Sequence, residues 1–156
     1  MLQRVSEASV DPGWEPDSGP HSRIGQGLLI LLGVGKGDDE QSALWLADRC
    51  CRLRIFEDAQ GKMNRSLLDT KGSALVVSQF TLYADTSCGL RPSFAAAEVP
   101  ERAKYLYEQF VGDLRTAGVE TQTGSFGARM KVHLTNDGPV TILLDSKVGP
   151  QMSTSR

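Results

Sequence analysis

Four consecutive residues, Ser78-Gln79-Phe80-Thr81, place three polar groups in an otherwise apolar run from Ser73 to Tyr83 (SALVVSQFTLY). The hydroxyls of Ser78 and Thr81, with nearby backbone N–H groups, could form a donor cluster for a carbonyl oxygen. Such donors stabilise the oxyanion that develops when an ester is attacked. An edge position, where a strand leaves the core, would account for the same residues without chemistry. Gly138-Pro139 is the second candidate. It reads either as part of an ordinary turn or as a rigid backbone wedge, able to approach a ligand closely because Gly138 has no side chain.

The commoner routes to catalysis are missing. Of the two histidines, His21 lies in a Pro/Gly-rich loop and His133 on the polar side of an alternating stretch. No GxSxG elbow, Walker loop or GxGxxG after a strand is present. The glycines of GVGKGDD (33–39) lack phosphate-loop spacing, and Lys36 is not followed by Ser or Thr. The carboxylate pairs Asp38-Asp39 and Glu57-Asp58 fall where helices start and chains turn. Cys50, Cys51 and Cys88 offer no zinc spacing, and an adjacent pair within one helix is poor geometry for a disulfide. They read as reduced thiols of a cytoplasmic protein, with Cys50 or Cys51 packing as a small apolar residue. No metal and no cofactor is expected. Thr81 is the natural nucleophile on chemical grounds, yet nothing beside it in sequence can act as its base.

The elements that position these residues follow from pattern. A chain of 156 residues, 40% hydrophobic, suffices for one cored domain and not for two. A net charge of −2 argues against gripping nucleic acid with the whole surface, DNA included, and leaves room for a local basic patch. The longest purely apolar run, Leu28 to Leu32, is far too short to cross a bilayer. Residues 2–10 read as a strand, 11–23 as a proline-rich loop, and 27–35 as a strand buried on both faces. Asp38 with Gln41 resembles a capping box for a helix over 38–52. Two short strands flank the turn at 58–61, and 73–83 reads as a central strand. A second helix spans 99–116 and stops at Gly118. Residues 130–134 form a half-exposed strand, 136–139 a turn, and 140–144 the closing strand. About seven strands and two main helices, with the strands grouped, predict a compact α/β domain. Its sheet should be barrel-like and mostly antiparallel or mixed.

Taken together, SQFTLY (78–83), RPSF (91–94) and TNDGPVTI (135–142) resemble the D-aminoacyl-tRNA deacylase family, formerly called D-tyrosyl-tRNA deacylases. Supporting segments are QRVSEASV (3–10), GLLILLGV (27–34) and RIFEDAQGKMN (54–64), so the likeness runs from about residue 2 to 145. The loop at 11–23 is longer and richer in proline than the family pattern. The resemblance implies one deacylase domain over 1–145 with a flexible tail at 146–156. It implies a barrel-like homodimer with active sites at the subunit interface, acting on the acceptor end of aminoacyl-tRNA. Ser78, Gln79, Phe80 and Thr81 would line the aminoacyl pocket. Gly138-Pro139, as a cis peptide, would reach into the partner's site and reject L-amino acids, while glycine would be accepted. Arg4 would hold that motif's orientation, and Met130 would line the pocket. Backbone N–H groups near Phe80 and Thr81 would stabilise the oxyanion, and the substrate's own ribose hydroxyl would assist the attack. The alternatives are a related editing deacylase with a trans Gly-Pro peptide, and a non-catalytic RNA-binding module of the same fold.

Overall fold

A computed structural model describes residues 1–12 and 22–148 of the chain. The tail beyond residue 148, and His21 with most of its loop, lie outside the described residues. Within them the strands are β1 (Leu2–Pro12), β2 (Ser22–Ile24), β3 (Gly27–Leu32), β4 (Phe56–Glu57), β5 (Met63–Arg65), β6 (Ser73–Ser78), β7 (Thr121–Thr123) and β8 (Met130–Ile142). The helices are α1 (Glu40–Arg52), α2 (Leu67–Thr70) and α3 (Pro100–Thr116), with single 3₁₀ turns at Phe80–Tyr83 and Ser146–Val148.

The sheet is mixed. β3, β6 and β7 run parallel, while β1 lies antiparallel to β2 and β3 on one side and to β8 on the other. β2 bends across towards β7, where the Ser22 hydroxyl donates to the Thr123 carbonyl at 2.7 Å. The sheet therefore curls into a nearly closed barrel. Strand alternation divides the core in two. Leu29, Leu75 and Val77 join Val5, Val10 and Ile24 inside the curl. Leu28, Ile30 and Val76 face outward against Ala47, Cys50 and Cys51 of α1 and Phe110 and Leu114 of α3. Both Cys50 and Cys51 are buried, and burial pushes their thiols up to about 12 and about 11. Each buried leucine of β3 stabilises the fold by about 1.5–3 kcal/mol.

Several elements differ from what the sequence pattern predicts. Asp39, not Asp38, caps α1, accepting the Ser42 N–H. Its carboxyl is held below the usual range chiefly by that backbone hydrogen bond. β3 stops at Leu32 instead of running to Gly35, and β6 stops at Ser78 instead of Tyr83. Asp11 and Pro12 extend β1, and Ser22 and Arg23 begin β2, so the proposed 11–23 loop is strand at both ends. β2, β7 and α2, three or four residues each, are elements that the sequence pattern does not predict. Finally, 136–139 is not a hairpin turn, because the residues on either side of it pair with the same strand, β1.

Gly27 and Ser73 face each other across the parallel β3–β6 pair, and a Cβ on Gly27 would lie 1.8 Å from the Ser73 carbonyl oxygen. Gly27→Ala should therefore lower unfolding stability by about 3 kcal/mol or more. Gly112→Ala is the opposite case. It lies within α3 with nothing near the added methyl, and should raise stability by up to about 1 kcal/mol. Urea denaturation of the two variants checks both signs.

Candidate active site

The chemistry-bearing segment begins where β6 ends. Gln79 still donates its N–H to the Leu32 carbonyl at 2.8 Å, the last bond along that edge of β3. The chain then tightens into the 3₁₀ turn Phe80–Tyr83. At the start of such a turn the first N–H groups have no partner within it. Among the described residues, neither Phe80 N–H nor Thr81 N–H donates to a backbone or side-chain acceptor. Two successive donors are thus left unpaired. The Thr81 hydroxyl accepts a hydrogen bond from Gln79 Nε2.

Tyr83 anchors the other end of the turn. Its ring packs against the Gly33–Gly35 backbone, where a Cβ on Gly35 would come within 2.5 Å of it. Its hydroxyl donates to Asp38 Oδ2 at 3.4 Å, and the same carboxylate oxygen accepts Gly35 N–H at 2.8 Å. Partial burial, then the Asp38 charge, raise the Tyr83 phenol to about 12, so it stays protonated as a donor.

Beside the turn lies a cleft of about 580 Å³, walled by Ser78, Gln79, Phe80 and Met130, together with Phe94 and Phe126. Phe80 is 57% exposed and meets Phe94 edge to face at 5.0 Å. Gly124 makes room for Met130, since a Cβ there would sit 2.8 Å from the Met130 sulfur. Among the described residues Glu98 is the one ionisable side chain in the lining, and its Oε1 accepts Val99 N–H at 2.8 Å. His133 lies elsewhere on the surface, 3.1 Å from Asp11 Oδ2. Among the described residues no three His, Cys, Asp or Glu side chains converge on a point that could hold an ion.

Thr81 lies in the turn but outside this lining, and Gly138, Pro139 and Arg4 form a second cluster that does not line the cleft either. Between the pairs Gln3↔Thr141 and Val5↔Asn136, the four residues Asp137–Val140 face Arg4 alone. The Gly138-Pro139 peptide in this excursion is cis, and both residues are exposed. Gly138 has φ +143°, and a Cβ on it would meet Val140 Cγ2 at 2.6 Å and Arg4 Nη2 at 3.1 Å. Only glycine fits. Arg4 is buried, with its guanidinium bonded to the Asp137 carbonyl at 2.8 Å and the Ile55 carbonyl at 2.7 Å, and 3.7 Å from Glu57.

A family model described as D-Tyr-tRNA(Tyr) deacylase matches residues 1–145. The chain belongs to that family. It is 59% identical over 148 residues to the D-aminoacyl-tRNA deacylase of Roseiflexus sp., covering 95% of this chain and 93% of that protein. It is 60% identical over 146 residues to the protein of the same name from Thermomicrobium roseum, covering 94% and 92%. A solved structure described as c-Myc DNA Unwinding Element Binding Protein superposes with a TM-score of 0.82 at 38% identity, covering 92% of this chain and 95% of that one.

In this deacylase-family chain, sequence reasoning missed three parts of the site. Phe126 and Glu98 carry no periodic or motif signal, and Tyr83 was read as the end of a strand. Arg4 supplies a stability forecast. Arg4→Met would leave the Asp137 and Ile55 carbonyls without their charged donor, and unfolding in urea should show a loss of about 2–4 kcal/mol.

Proposed function

We propose that this protein hydrolyses the ester joining a D-amino acid to the terminal ribose of tRNA, releasing the D-amino acid and free tRNA. Glycyl-tRNA is a further substrate. The observation that carries the mechanism is the pair of successive N–H groups, of Phe80 in the wall of a mostly apolar cleft and of Thr81 next to it in the turn, that have no acceptor among the described residues. Water attacks the ester carbonyl, and the developing oxyanion accepts hydrogen bonds from these two donors, each worth about 3–4 kcal/mol in a dry, preorganised site. The tetrahedral intermediate then collapses, breaking the bond to the ribose 3′ oxygen, which leaves with a proton. The neighbouring ribose 2′-hydroxyl relays the proton from water. Thr81 positions the turn and does not attack, since its hydroxyl is already engaged by Gln79 and does not line the cleft.

Handedness is set by a second copy of the chain. The exposed Gly138-Pro139 excursion does not line its own cleft, so in the proposed homodimer it enters the partner's, where backbone atoms block the position of an L side chain. A D side chain points away, and glycine has nothing to exclude. Rejection by steric exclusion combines broad acceptance with strict handedness. The cytoplasm, where tRNA is charged, is the proposed compartment. Among the described residues no helix is long and apolar enough to cross a membrane.

Purified protein should deacylate D-Tyr-tRNA and spare L-Tyr-tRNA, and should continue to do so after thorough chelation. Activity lost on chelation and regained with one divalent ion, with the tRNA shown to stay folded, would contradict this. Thr81→Ala should lose the equivalent of one hydrogen bond, about tenfold at most in single-turnover rate. A dead variant, with an acyl ester trapped on the wild-type Thr81, would restore threonine as the nucleophile.

A further inference from the structure

The Gly138-Pro139 excursion needs two ends held, and Arg4 holds only one. β8 leaves its register with β1 at Asn136 and regains it at Thr141. Four residues facing one cannot close the gap with ladder bonds, and Pro139 has no N–H to offer. Arg4 Nε grips the first residue of the excursion, through the Asp137 carbonyl. The last residue, Val140, has its N–H bonded to the Asn136 side-chain oxygen at 2.7 Å. The other half of the same amide, Nδ2, donates to Thr141 Oγ1 at 3.1 Å, and that hydroxyl also accepts from Gln3 Nε2 on β1 at 3.2 Å. One side chain therefore spans the base of the loop and ties both limbs to each other and to the neighbouring strand. Asparagine suits this, having an acceptor and a donor on the same short stem. Aspartate keeps only the acceptor, and glutamine carries both groups one methylene too far.

We propose that Asn136 is a positioning residue that fixes Gly138-Pro139 against the substrate and so sets how strictly L-aminoacyl-tRNA is refused. The inference rests on the reading of Gly138-Pro139 as the excluding wedge. Releasing Val140 N–H lets the second limb of the loop drift, which matters little for a residue that only caps a turn and a great deal for one that aligns a steric barrier. A displacement of about 1 Å is enough to change rates by about two orders of magnitude when geometry sets the outcome.

The test uses the full chain. Single-turnover hydrolysis of D-Tyr-tRNA and L-Tyr-tRNA is measured for wild type, Asn136→Ala, Asn136→Asp and, as the reference, Pro139→Ala. Amide hydrogen exchange at Val140 is followed by NMR in the same proteins. Asn136→Ala should lower the D-over-L rate ratio about tenfold or more and speed Val140 exchange by at least about tenfold. Asn136→Asp, which keeps the acceptor for Val140, should recover most of both. If Asn136→Ala is too unstable to purify, Asn136→Gln must show the same two losses. A lower melting temperature with the D-over-L ratio and Val140 exchange as in wild type would mean a merely structural role and would overturn the assignment. A ratio that moves in Pro139→Ala but not in Asn136→Ala would remove Asn136 and leave the wedge reading intact. A ratio unmoved in Pro139→Ala would sink the wedge reading and this inference with it.

Discussion

The hydrogen bond from Gln79 N–H to the Leu32 carbonyl, 2.8 Å long, closes the parallel edge between β3 and β6, and the proposed chemistry depends on its being the last. One more strand residue would pair Phe80 or Thr81 into the sheet and consume its N–H. The chain instead turns over Tyr83, whose ring occupies the space that side chains at Gly33 and Gly35 would fill. The sheet carries the segment to the end of β6, and the turn then leaves two donors without acceptors among the described residues. A buried backbone donor is costly to leave unpaired, so such donors suit an open cleft that a polar ligand can enter.

Arg4 does comparable work at the other cluster. A charged group can be buried at tolerable cost when its hydrogen bonds are met, and the Arg4 guanidinium meets two carbonyls from different elements, one in the β8 excursion and one just before β4. It therefore joins β1, β8 and the β4–β5 hairpin at one point. The two clusters use the same economy. In each, the parts proposed to meet the reacting group are backbone groups aimed by side chains, a proposal that calls on no histidine among the described residues.

Much of this was legible in the sequence, and what was not has physical reasons. α1 and α3 were readable because burial imposes a period on ten or more residues at once, and β3 because it is an unbroken apolar run bounded by glycine. The β4–β5 hairpin was readable from its turn residues. β2, β7 and α2 are too short for any period to register, although the Ser66–Asp69 pair that caps α2 has the spacing of a capping box. The end of β6 was misplaced because Leu82 and Tyr83 continue the apolar run, and the reason for the turn is a contact with glycines some fifty residues away. Asn136 to Pro139 does depart from regular strand, but it does not join two separate strands as a turn would. Both flanks return to β1, a long-range pairing that turn chemistry cannot reveal. The Asp38–Gln41 spacing mimics a capping box, while the Asp38 carboxylate serves Gly35 and Tyr83 instead. The family likeness, carried by short motifs in order, identified Ser78, Gln79, Phe80 and Met130 together, and these four do wall one cleft.

The central claim is that backbone donors, not a side-chain nucleophile, carry the reaction. The most direct measurement removes those donors one at a time without touching a side chain. Replacing residue 80 or residue 81 by the corresponding α-hydroxy acid exchanges the N–H for an ester oxygen and leaves the phenyl or hydroxyl group in place. Single-turnover hydrolysis of D-Tyr-tRNA should fall by about 10²–10³ for each replacement, the usual consequence of losing one oxyanion donor. Rates within about threefold of the unmodified protein for both replacements would contradict the account.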